Sequence, residues 1–240
     1  MKKIINIISA LTLVVLLIVP TTALAAETDA TLISSEKIVL FSSDSKTRSG
    51  ESKEFTLKTY NDNGVTVYSF DVEDPEYRQA AMEYINQLTR DSVYTSSNNT
   101  REHLSPGESE EHVDTQYDGD AMSYAWKRNN AIGDPWSNNF EGGQSSQWTG
   151  TGNCDYIILN QGIDINGFLV SVSWPPSLSG SGSSASWQSN PIYSNVAGAS
   201  FSGLTVGGTA FSCAFTESGD VYVGNHIYRP VTYIKFSYFS

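Results

Sequence analysis

The sequence predicts a mainly β protein: an antiparallel β-sandwich at the C-terminal end, preceded by a small β-meander and one amphipathic helix. Three observations carry this expectation. Short alternating apolar runs, separated by Gly, Asn and Pro, fill most of the chain. A helical period shows in one long stretch only, residues 74–91. Composition changes near residue 119: 27 charged side chains lie in residues 27–118 and 11 in residues 119–240. Gly, Ser and aromatic residues replace them in the second part, which marks a boundary.

Residues 1–26 read as a secretory leader. Lys2 and Lys3 open it, residues 4–19 are apolar, and Ala23-Leu24-Ala25 offers the small residues a signal peptidase requires. The apolar run is short for a bilayer-spanning helix, so the expected product is secreted, with no transmembrane anchor. The formal charge is −12, and removing Lys2 and Lys3 with the leader makes it −14. Such a chain repels nucleic acid and anionic surfaces, which excludes nucleic acid as a partner.

Residues 27–91 hold the meander and the helix. Residues 37–42, 55–60 and 65–72 read as strands, the last two joined by Asn61-Asp62-Asn63-Gly64, whose Asn-Gly pair tolerates positive φ. Asp74 caps the helix and Pro75 suits its first position. Tyr77, Ala81, Tyr84, Ile85 and Leu88 form its apolar stripe. Residues 92–118 are polar and aperiodic, and are expected to be a linker or mobile loop.

Residues 119–240 are expected to form the sandwich from many short strands: 156–159, 168–174, 185–188, 199–206, 211–215, 221–223, 227–229 and 231–238. Asp164-Ile165-Asn166-Gly167, Gly207-Gly208 and Ser218-Gly219-Asp220 read as turns between them. Phe168, Val170, Val172 and Trp174 share one face, taken as the core face, which excludes Trp174 from any site. Cys154 and Cys213, an even pair in an exported chain, are expected to form a disulfide.

Chemistry-bearing patterns are sparse. His103 and His112 lie in the polar stretch without zinc spacing, and His226 has no nucleophile setting around either cysteine. Asp114, Asp118 and Asp120 surround Gly119 and are calcium candidates by ligand type, though not at EF-hand spacing. Trp136 and Trp148, among Asn138, Asn139 and other amides, suit sugar faces, whose CH groups stack while hydroxyls hydrogen-bond. The competing reading is that these rings plug the ends of the core. The sequence therefore points to a non-catalytic extracellular binding or interaction protein for cell-surface or matrix glycans, with no cofactor. The alternatives are a secreted toxin or bacteriocin-like factor acting on membranes or envelopes, and a secreted hydrolase.

Overall fold

A computed structural model of the chain describes residues 30–42, 51–97, 110–130, 137–173 and 179–238. The leader, His103, Trp136 and Trp174 lie outside the described residues. The fold is mainly β and antiparallel, with one helix, as the alternation predicts.

The meander is β1 (Thr31–Phe41), β2 (Ser52–Asp62) and β3 (Val65–Asp71). Asn63 and Gly64, at φ 55° and 86°, make the expected tight turn between β2 and β3. The helix α1 (Pro75–Ser97) buries Tyr77, Ala81, Met82 and Ile85 against Phe55, Phe70 and Val196. It can lie this close because Gly198 has no side chain: a Cβ there would stand 2.3 Å from Ile85 Cγ2.

The remaining strands are β4 (Glu110–Asp118), β5 (Ala121–Asn129), β6 (Ser137–Trp148), β7 (Tyr156–Ser173), β8 (Ser179–Ser181), β9 (Ser184–Gln188), β10 (Val196–Val223), β11 (His226–Tyr228) and β12 (Val231–Ser237). The stretch expected to be a linker is thus helix at its start, where α1 continues to Ser97, and strand at its end. Its polar character has a simple source, since β4 is an edge that pairs with β5 alone and is largely exposed.

The expected short strands of the second part merge into two long ones. β7 runs without a turn through Asp164-Ile165-Asn166-Gly167, and β10 through Gly207-Gly208 and Ser218-Gly219-Asp220. Each stretch lies opposite the other strand, so its backbone groups are taken up by the ladder. The first part of β10 pairs with β3 on one side and β6 on the other, and its later part pairs with β7, β11 and β12. Hydrogen bonds therefore join the meander to the C-terminal strands in one sheet through β10.

Two bulges turn the β7–β10 ribbon. Leu169 and Val170 face Gly208 alone, and Phe211 is an extra residue on β10 between Ala210 and Ser212. Each shifts the strand's facing by one residue. Ile163 and Ile165 point into the core before the bulge in β7, and Val170 and Val172 pack on the same core after it. Phe168, expected on that core face, is exposed instead. Beyond the ribbon, the core joins Ala125 and Phe140 of β5 and β6 to Phe215, Ile234 and Phe236 of β10 and β12.

Candidate functional site

One row of side chains crosses four strands. Trp187 of β9 stands opposite Gln161 of β7, Gln161 opposite Glu217 of β10, and Glu217 opposite Thr232 of β12. All four are buried. Alternation places each at a core position: Gln161 between Leu159 and Ile163, Glu217 between Phe215 and Val221, Trp187 two residues after Ala185.

The row is incompletely paired. Trp187 Nε1 and Gln161 Nε2 are buried donors with no acceptor among the described residues. Glu217 meets one polar partner there, Lys127 of β5, with Nζ 2.5 Å from Oε1. The Lys127 ammonium also donates to the Trp126 and Gly143 carbonyls at 3.1 and 3.4 Å and lies 5.1 Å from the centre of the Phe201 ring. Burial pulls Lys127 below the usual lysine range and pushes Glu217 above the usual carboxylate range, each resisted by the other's charge.

Trp187, Gln161 and Glu217 line a cavity of about 850 Å³. Its other side is a chain of hydrogen bonds among further lining residues. Gln188 donates to Asn160 at 2.7 Å, Asn160 to Ser218 at 3.2 Å and Ser218 to Asp220 at 2.9 Å. Asp220 accepts from Arg229 Nε and Nη2 at 2.9 and 2.6 Å. The charged residues that line the cavity are thus each matched, Arg229 with Asp220 within the lining and Glu217 with Lys127 outside it. What it presents otherwise is amide, hydroxyl and indole. A smaller cavity of about 260 Å³ is lined by Lys58, Asp62, Asn190 and Tyr193, among others, and there desolvation pushes the Asp62 carboxyl above its usual range against the Asn190 N–H that bonds it.

The residues singled out by sequence lie elsewhere. Trp148 is buried and packed on Tyr228, ring centres 5.1 Å apart, so it belongs to the core and offers no sugar-stacking face. Asn138 is buried and accepts from Asn129 at 3.0 Å, while Asn139 pairs with Thr205 in the β6–β10 ladder. Asp114 and Asp118 bind backbone N–H groups of Tyr233 and Arg229, at 2.8 and 2.7 Å, and so clip β4 to the C-terminal strands. Asp120 is exposed in the turn after β4, and no group of three metal-binding side chains occurs among the described residues.

The expected disulfide is absent, and Cys154 and Cys213 are separate thiols. Register explains why. Cys154 precedes β7, whereas Cys213 stands opposite Ile165, far along that strand. Eleven residues at about 3.3 Å each separate the two levels by roughly 35 Å, against the 7 Å or so that a disulfide permits. His112 packs edge-on against Phe236, and His226 is exposed at the start of β11. The Cys154 thiol donates to the Ser194 carbonyl at 3.2 Å, and burial pushes its pKa to about 11, which removes the thiolate a Cys-His hydrolase needs.

Neither the protein-family models, the curated proteins nor the solved structures contain a match to this chain.

Proposed function

We propose that the protein is a secreted, non-catalytic binding protein whose cavity between β7, β9 and β10 takes a neutral, hydroxyl-rich ligand, a cell-surface or matrix glycan. The observation that carries this reading is the buried row Trp187–Gln161–Glu217, with two donors and a carboxylate short of partners beside a polar cavity. Each unsatisfied buried polar group costs about 1–3 kcal/mol. A ligand that completes the row recovers that cost. A hydroxyl is suited to it, since it donates to Glu217 and accepts from Gln161 or Trp187. The pairing of the cavity's charges supports an uncharged ligand over an anion or a cation.

The test is calorimetric titration with neutral oligosaccharides released from cell walls or matrix, compared with charged ones. Wild type should bind a neutral member. Trp187→Phe, which removes the indole N–H and keeps an aromatic ring, should weaken binding about tenfold or more at near-constant melting temperature. Unchanged affinity in that variant, or binding to charged glycans alone, would overturn the reading.

A further inference from the structure

We propose that the corner of the β7–β10 ribbon, at Phe168 and Leu169, inserts into the interfacial zone of an uncharged or zwitterionic lipid bilayer. The starting point is a residue the fold does not account for. Leu169 sits at φ 53°, in the left-handed region, and is 96 % exposed. A leucine there is disfavoured by contact between its Cβ and the backbone, and glycine would adopt the conformation freely. The bulge accounts for the conformation, since its first residue can take the left-handed region, but glycine is the usual occupant of that position. Facing it, Gly208 has φ 89°, and a Cβ on Gly208 would stand 2.3 Å from the Leu169 carbonyl oxygen. On β10, then, glycine stands where the backbone demands it. On β7, an apolar side chain is kept against the backbone preference and held out in water.

It is not alone. Phe168 is 69 % exposed, and its ring meets Phe211, the extra residue of the second bulge, edge-on at 5.5 Å. The two bulges thus bring two aromatic rings and a leucine to one corner. Such a projection costs hydration free energy in water and recovers it when covered by an apolar phase.

Charge decides which phase. Between Asp164 and Glu217 the chain contains no Asp, Glu, Lys, Arg or His, in a protein whose formal charge is −12. Both strands of the corner fall inside that interval. The cation next to it in the sheet is Lys235 of β12, opposite Ala214. The acidic molecule is repelled by an anionic membrane, and the corner carries no basic cluster to offset this. A bilayer of zwitterionic headgroups imposes no such repulsion. There, shallow burial of apolar side chains is the driving force, and it scales with the area buried.

The experiment is flotation of the secreted protein, without its leader, with phosphatidylcholine vesicles, repeated with one third phosphatidylserine. Wild type should float with phosphatidylcholine and less with the anionic mixture. Leu169→Gly should lower the partition coefficient about tenfold or more. It should also leave the melting temperature unchanged or raise it, because it relieves the backbone conformation. Phe168→Ser is the second variant and should lose binding in the same way. Failure of wild type to float would overturn the proposal. So would flotation that both variants retain, which would place the contact elsewhere on the protein. A preference for the anionic vesicles would overturn it as well. A lowered melting temperature of Leu169→Gly with binding unchanged would make Leu169 a structural residue.

Discussion

Arg78 and the Trp187–Gln161–Glu217 row are both buried polar features, and they are finished to different degrees. Arg78, on α1, donates to the carbonyls of Glu73, Trp148, Gly150 and Gly152 and to Asn153 Oδ1, at 2.7–3.2 Å. It holds the loop between β6 and β7 against the helix. Three turns further along α1, Arg90 and Arg128 of β5 converge on Glu111. Burial opposes ionisation of that carboxyl, but the two guanidiniums hold it below its usual range. These groups spend most of their hydrogen-bonding capacity inside the fold, and Arg78 Nε is the one guanidinium nitrogen of Arg78 with no acceptor among the described residues. The row leaves several groups without a partner. A buried polar cluster that is satisfied explains itself as structure, whereas one that is not points beyond the fold.

The largest expected effect comes from separating Lys127 from Glu217. Lys127→Met strands a buried carboxylate and should cost about 3–5 kcal/mol in urea unfolding. Lys127→Met with Glu217→Leu removes both charges and should recover most of that loss, because pairing only balances the desolvation of the two ions. If the double variant is as unstable as the single one, the row is load shared with the packing around it, and its polarity is not the reason for its cost.

Arg78→Met should cost less, about 2–3 kcal/mol, since the freed carbonyls belong to a loop that water can reach. Gln161→Leu should cost nothing or stabilise by up to about 1 kcal/mol, because it deletes an unpaired donor. A clear loss of stability in Gln161→Leu would show that the amide has a structural partner, and would erase the contrast with Arg78.

Part of this was legible in the chain. The Asn63-Gly64 turn, the stripe of α1 and the alternation that defines a mainly β protein were all visible, because each is a local pattern. So was the signal for the row. Gln161 interrupts the apolar series Ile157, Leu159, Ile163, Ile165, and Glu217 follows Cys213 and Phe215 in phase. A polar residue on a core face marks a buried polar site, whereas a Trp among amides, as at Trp148, is equally the mark of a ring that closes the core. Other features were not legible. Gly207-Gly208 looks the same as a hairpin turn or as a bulge opposite Leu169, and only the partner strand decides. The pairing of β3 with β10 joins residues more than a hundred apart and leaves no local mark. Cysteine count cannot reveal that the two thiols lie at different levels of one long ribbon.

The smallest expected effect concerns those thiols, one in each region. Cys154 lies in the loop held by Arg78, and Cys213 lies in β10 within the core. Burial pushes both from the ordinary 9.0 to about 11, opposed at Cys154 by the Arg78 charge and at Cys213 by a hydrogen bond with Tyr238. Both should therefore resist a thiol reagent at pH 8 in the native protein, and two should react after denaturation without reductant. A count of zero after denaturation would restore the disulfide. The pH dependence follows from linkage. The folded chain keeps both thiol protons to a higher pH than the unfolded chain does. Their contribution is thus fully present below about pH 9 and is lost as pH rises through about 11. Urea midpoints should fall across that window. Replacing Cys213 with Ala should flatten the fall, apart from any loss through the cavity it leaves. Replacing Cys154 with Ala should flatten it to a similar degree, because both thiols are shifted from 9.0 to about 11. A fall that neither variant flattens would mean that the thiols are not the groups that lose their protons there.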